Sequence, residues 1–469
     1  MARIALIEPR GSNTLSANTA EPLALCYLAA ALRQEGHETK ILQQGGDDYE
    51  LAEKALAFRP DLLGLSLITC TTPNALHLAK QVKERAGIPI VVGGVHPSMD
   101  PAIGHDPAID IVAIGEGERT LAEIVRAYEA KRSPVGIAGT AVSVRGQLVF
   151  GPPRERIKDL DEIPFPARDG LPDDYVYRSP IPIPLSEQRG RYATVSGSRG
   201  CRYACTFCTT PKLWGPGRVA ERSLENLLDE VELLVRSGKD LIEFRDEDFT
   251  RNRDRLLALT EGIEARGLQG MFSWISFGRV DDIIRDRKVD EYLLGRLAQS
   301  GCCELIYGFE TGDEKLSGKI GKAGLTFGKK VMAAKATADA GISVAAAMMI
   351  GLPGETEESL AATRRFLETI PYDRVRMAFA TPFKGTSLYR LCEREGLLLT
   401  GDDGAYTSET PVIKTPVGSE RLTEFRRETL RDLYGSPGYL ARCRARIEKD
   451  PRFAKAYDEW FAYLRQTLE

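Results

Sequence analysis

The 469-residue sequence lacks any apolar run approaching the roughly 20 residues a membrane-spanning helix needs, so no membrane span is expected. Its first residues, MARIALIEPR, turn charged at once and do not follow the layout of a secretory signal. Basic residues are not in excess. Lys and Arg number 63 against 67 Asp and Glu, for a formal net charge of -4, which argues against nucleic acid as a partner. Histidine is scarce, and all four lie before residue 106. The nine cysteines are an odd number in a large chain without a secretory signal, which argues against a disulfide framework. The expected compartment is the cytoplasm. At 43% hydrophobic and 28% charged, the composition suits a folded chain with buried cores in about three domains.

Residues 3–8 read as a buried parallel strand, and 22–34 keep helical spacing until Gly36. Strands at 37–42, 62–67, 88–92 and 109–114 then alternate with helices at 49–58, 73–86 and 120–130. Such alternation predicts an α/β unit with a doubly wound sheet, whose ligands bind beyond the carboxyl ends of the strands. Those ends carry Ser66, Gly93-Gly94 and Gly115-Glu116-Gly117. A small hairpin at 141–149 follows, and then eight prolines crowd residues 152–184. Proline at that density excludes a central strand or a helix interior, so 136–190 reads as an ordered linker after a first domain at 1–135. Alternation resumes with strands at 192–196, 241–245, 272–277, 304–309, 344–349 and 375–378, separated by helices including 224–237, 253–266, 290–300 and 329–340. Six such strands predict a partial (β/α)6 barrel over 191–385, with its reacting groups on the C-terminal strand ends. Residues 386–469 read as helical and charged.

Six cysteines are scattered or simply adjacent, Cys302 and Cys303 among them, and these read as packing residues. The other three, Cys201, Cys205 and Cys208, lie within eight residues just after the first barrel strand. A structural zinc site closes its shell with four ligands, usually in two spaced pairs, and the ferredoxin spacings also differ. Three thiolates on a four-iron cluster leave one iron open to a substrate or cofactor.

The spacing Cys-x3-Cys-x2-Cys, with Phe207 before the last cysteine, resembles the radical S-adenosylmethionine (SAM) superfamily. The resemblance implies a 4Fe–4S cluster on Cys201, Cys205 and Cys208. SAM would chelate the open iron, and an electron from an external donor such as flavodoxin or ferredoxin would cleave it to a 5′-deoxyadenosyl radical. Phe207 would pack near the adenine. The family places polar groups near SAM where Asp246 ends the second barrel strand, Arg279 follows the third and Glu310 lies in Gly308-Phe309-Glu310-Thr311-Gly312. Gly351-Leu352-Pro353-Gly354-Glu355 and Thr381–Thr386 continue the match along the barrel.

Residues 1–130 resemble the cobalamin-binding domain of class B radical SAM enzymes through Asp61–Ser66, Val91–Pro97 and Ile114–Glu118. The resemblance implies that Ser66, Gly93, Gly94, Gly115, Glu116 and Gly117 line a slot for cobalamin. Many cobalamin proteins carry Asp-x-His-x-x-Gly after the first strand. Residues 9–16 hold no histidine, so a base-off cobalt without an imidazole from that loop is expected, with Arg10, Asn13, His37 and His96 as alternatives beneath it. Together the two resemblances imply C-methylation of an unactivated carbon of a small-molecule intermediate by way of methylcobalamin. Rearrangement or cyclisation without methyl transfer, and a non-catalytic cobalamin sensor or carrier, are the alternatives. An RNA methylthiotransferase would need three further N-terminal cysteines and a basic appendage. Only Cys26 and Cys70 precede the triplet.

Overall fold

The structure, a computed structural model, describes residues 1–9, 21–43, 48–171, 191–285, 288–449, 451 and 453–468. Arg10, Asn13 and four of the eight linker prolines lie outside the described residues.

The first sheet has seven strands: β1 (Arg3–Glu8), β2 (Glu38–Gln43), β3 (Leu62–Ser66), β4 (Ile90–Gly93), β5 (Ile111–Ala113), β6 (Thr140–Val144) and β7 (Gln147–Phe150). Their spatial order is β2-β1-β3-β4-β5-β6-β7. β1 to β5 pair in parallel, as their near-continuous apolar runs require of strands buried on both faces. Leu51, Ala55, Leu78 and Val82 cover one face, and Leu25, Leu32, Leu121 and Ile124 the other. The order reverses between β1 and β3, the switch point at which such sheets open a crevice.

Two features depart from the sequence reading. The hairpin assigned to the linker extends the first sheet instead, because β6 pairs antiparallel with β5 and supplies the edge that a parallel sheet lacks. The helix expected from residue 120 begins at Gly117, because Gly115 takes a positive φ of 82° and turns the chain at once.

The second sheet has six parallel strands in sequence order: β8 (Tyr192–Val195), β9 (Leu241–Phe244), β10 (Ser273–Gly278), β11 (Cys302–Glu310), β12 (Ser343–Ile350) and β13 (Arg374–Phe379). This is the expected partial barrel. Side-chain caps fix where its helices begin. Ser223, Asn252, Asp290, Thr326 and Thr356 each accept a backbone N–H from the first turn of the helix that follows. The helix Glu357–Thr369 was not singled out from sequence, although Thr356 and Ser359 form its capping box. Phe244 stacks on Phe249 at 4.4 Å, and Trp274 closes edge-on against both, so these rings are outer core. Three helices, Ser419–Gly435, Pro437–Lys449 and Phe453–Leu468, complete the C-terminal region. No helix among the described residues is long and apolar enough to cross a membrane.

The linker ties the two units together. Ile157, Leu160 and Ile163 pack on Tyr27 of the first unit. Arg168 reaches Glu21 at 3.3 Å and Glu230 at 2.8 Å, both buried, and Glu21 also accepts the Thr194 backbone N–H of β8 at 2.8 Å. Removing one partner of such a network leaves a buried charge uncompensated. Arg168→Met is therefore expected to destabilise the protein by about 3 kcal/mol, read as a lower denaturation midpoint, and adding Glu21→Gln should recover part of the loss.

Candidate functional site

The cysteine loop is held from four sides. Gly200 has a φ of 102°, and a Cβ there would lie 2.1 Å from the Arg218 carbonyl, so only glycine fits. Its N–H donates to Glu247 at 3.0 Å, and Glu247 also accepts the Trp214 indole N–H at 2.6 Å. Thr206 donates to the Ile320 carbonyl at 3.1 Å and accepts from the Leu388 N–H at 2.9 Å. Arg279 lies 3.4 Å over the Tyr203 ring, with Nη1 3.7 Å from the Cys205 sulfur, and Asp248 stands 3.9 Å from the Cys201 sulfur.

Cys201, Cys205 and Cys208 are all half-buried, whereas five of the other six cysteines are buried. Among the described residues no three His, Cys, Asp or Glu side chains converge on one point, as a single ion requires. The three thiols on one loop are the donor set that a four-iron cluster takes with one iron left open. Cys302 and Cys303 bond to the Glu304 and Trp274 carbonyls and pack in the wall, as expected.

The predicted SAM-side residues divide. Phe207 packs beside Leu316, Ile320, Leu352 and Leu388, next to the cysteine loop. Arg279 reaches the loop directly. Asp246 is buried and spends both carboxylate oxygens on the Gly197 N–H, at 2.9 Å, and the Ser198 hydroxyl. It therefore holds the turn before the cysteines, and burial raises its carboxyl to about 6. Glu310 sits on a bulge with a φ of 63°, and its carboxylate takes the buried Lys322 at 2.8 Å. Lys322 also donates to the Gly308 carbonyl at 2.5 Å. Lys330, fully buried, donates to the Thr311 carbonyl at 2.6 Å, and burial lowers its amine to about 8.

A cavity of about 480 Å³ lies between the first sheet and the barrel mouth. All six residues assigned to the slot line it: Ser66, Gly93, Gly94, Gly115, Glu116 and Gly117. One wall is the face of the first sheet, from Leu6, Gly64, Val91 and Ala113. The opposite wall is Leu25, Leu28 and Leu121. A Cβ on Gly94 would meet the Leu67 carbonyl at 2.8 Å, and one on Gly117 would meet the Leu28 side chain at 2.8 Å. An apolar slot floored by glycines fits the nucleotide tail of a cobalamin. The far side of the same cavity is barrel: Thr194, Ser196, Ser198, Arg245 and Glu247. Glu116 is also engaged there, accepting from Arg199 at 2.8 Å and from the Ile157 N–H at 2.7 Å. Neither alternative histidine lines the cavity. His37 accepts the Ala2 N–H, and His96 faces Thr69 and Asp403.

Arg199 and Lys322 were not singled out in the sequence. Trp214 lines the cavity, and Arg199 and Arg156 stack on it at 5.9 and 5.3 Å. Trp274 and Tyr307, by contrast, are fully buried core.

The B12 binding domain model matches residues 13–125, and the radical SAM superfamily model matches 195–367. A relative named "uncharacterized methyltransferase PH0819", from Pyrococcus horikoshii, is 31% identical over 430 residues, covering 90% of this chain and 89% of its own. Another, named anaerobic magnesium-protoporphyrin IX monomethyl ester cyclase, from Cereibacter sphaeroides, is 28% identical and covers 84% of this chain and 63% of its own. The solved structure of the radical SAM methyltransferase TsrM from Kitasatospora setae, with cobalamin and a 4Fe–4S cluster bound, shares the fold. Its TM-score is 0.69 at 18% identity, covering 93% of this chain and 89% of that one. With the cysteine loop and the glycine-floored slot both in place, the chain belongs to the cobalamin-dependent radical SAM methyltransferases, and its cofactors are a 4Fe–4S cluster, SAM and cobalamin.

Proposed function

We propose that the protein methylates an unactivated carbon of a small-molecule substrate held in the barrel mouth. The observation that carries this reading is the shared cavity: the slot residues Ser66, Gly94 and Glu116 and the barrel residues Ser198, Arg245 and Glu247 line one space. When bound, the cluster with SAM supplies hydrogen abstraction, and methylcobalamin supplies the methyl group. The chain's own part is placement. Cys201, Cys205 and Cys208 hold the cluster. Arg279 and Asp248 flank its loop, Phe207 lies within it, and Glu310 stands at the end of β11. Trp214 lines the cavity beside Glu247, where it would shape the space the two cofactors share. The half-exposed cysteine loop supports electron delivery by an external protein of the flavodoxin or ferredoxin type.

A second reading, radical cyclisation without methyl transfer, is favoured by the relatives named as cyclases. Anaerobic turnover of the reconstituted protein with candidate substrates separates the two. Methylation yields deoxyadenosine, S-adenosylhomocysteine and a product heavier by one methylene. Cyclisation yields deoxyadenosine with neither of the others. Absence of deoxyadenosine from reduced, cluster-loaded protein would rule out both.

Two variants test the assignments separately. Cys205→Ala should abolish deoxyadenosine release while the visible spectrum of bound cobalamin persists. Gly117→Val should do the converse. Its side chain enters the slot against Leu28, so cobalamin affinity is expected to fall by about tenfold or more while iron content is retained.

A further inference from the structure

The barrel lumen carries a pattern that the cofactors leave unused. Along each strand every second side chain points inward, and those positions change character with height. Lower down the lumen is closed. Tyr192, Leu241 and Ile275 cluster with Cys303, and Glu243 and Glu304 are buried beside them. Toward the C-terminal ends it opens. Arg245, Phe277 and Arg376 are exposed, and Ala347, Met349 and Ala378 are half-buried. Backbone pairing sets Gly308, Ala347 and Arg376 side by side; Lys322 and Glu310 fill the space over Gly308, so the opening beside the arginine lies over Ala347.

Among the described residues, charge within this lumen is matched pair by pair, with one exception. Glu243 takes Arg245, Glu304 takes Arg374 and Glu310 takes Lys322, each at 2.8 Å. Arg376 is a fourth cation, and no described residue is bonded or ion-paired to it. Glu409, which together with Arg376 acts on Tyr463 of the last helix, is itself taken by Arg426 at 2.5 Å.

A guanidinium enclosed on ligand binding without a counter-ion is costly, so an occupant that brings its own negative charge is strongly preferred. The planar fork of arginine matches the two oxygens of a carboxylate, phosphate or phosphonate. Resting on the reading of the barrel mouth as the substrate site, we infer that Arg376 holds an oxyanion group of the substrate. The methyl acceptor is therefore an acid. Arg376 stands on β13, at the opposite end of the sheet from β8 and β9, whose upper ends line the cobalamin cavity. The anionic group is thus held away from the cofactors, and the rest of the molecule reaches toward them.

The test is isothermal titration of the anaerobic holoenzyme, with cluster, cobalamin and SAM bound, in a zwitterionic low-salt buffer. Methylphosphonate and acetate are the probes, and acetamide is the neutral control. One anion per chain should bind with a Kd on the order of millimolar, and acetamide should not bind. Arg376→Gln should weaken the anions about tenfold or more, and Arg376→Lys by less. Arg431→Gln, on an exposed helix turn, controls for surface charge. Equal affinity in Arg376→Gln and the parent overturns the inference, as does an equal loss in Arg431→Gln. So does a parallel tenfold loss of SAM affinity in Arg376→Gln, which would assign the arginine to the cofactor. Failure of the parent holoenzyme to release deoxyadenosine would fall on the proposed function instead and leave the titration result to stand on its own.

Discussion

Two cofactors can act on one carbon only if the distance between their sites is fixed, and in this chain a single buried arginine bears most of that constraint. Arg199 immediately precedes Gly200 and Cys201, so its backbone belongs to the cluster loop. Its side chain crosses to the first unit, where it takes Glu116 at 2.8 Å and Glu118 at 2.5 Å. Both acids line the cobalamin cavity, Glu116 on the turn after β5 and Glu118 in the first turn of the helix that follows. Arg156 of the linker seals the same junction by donating to the Trp214 and Arg199 carbonyls. Buried pairs of this kind add little net stability, because desolvation offsets the Coulomb gain, but they penalise any other arrangement heavily. That is what a two-cofactor site requires: one geometry, with the alternatives made expensive.

The second junction repeats this logic farther out. Lys384, after β13, takes Asp100 of the first unit at 2.7 Å, and Gly385 approaches Met99 so closely that a Cβ would lie 3.2 Å from its sulfur. His96 sits behind this contact with its ring pushed toward the neutral form by burial. The histidine that sequence reasoning placed among possible cobalt ligands thus belongs to the seam between the units. With the Glu21–Thr194 bond, these contacts grip the first unit around the cavity.

What was legible in the sequence follows from which constraints are local. Cysteine spacing and glycines at strand ends are written in consecutive residues, because a loop that wraps a cluster, or a backbone that a bulky ligand must approach, leaves no choice of residue. The alternation of apolar runs is likewise local, so thirteen main strands were placed to within a few residues. Ion pairs have no such signature. Arg199 and Glu116 are 83 positions apart, and Arg168 and Glu21 are 147 apart, with nothing in either segment that names the other. The hairpin at Thr140–Phe150 was recognised as a hairpin but not as an edge of the first sheet, since antiparallel docking depends on which strand is left unpaired.

Asp246 and Glu310 show the same boundary at the level of a single side chain. Each lies at the strand end that motif order assigned it, yet what each carboxylate does is decided by a neighbour distant in sequence, Ser198 in one case and Lys322 in the other. Lys322 matters beyond its own bond. It neutralises the acid on the bulge and occupies the space over Gly308, so the only unfilled floor in that row is Ala347, beside Arg376. The shape of the lumen and its residual charge therefore have one origin. Pairing each acid with its own cation closes the lower barrel and leaves, among the described residues, one guanidinium without a counter-ion where the barrel is still open.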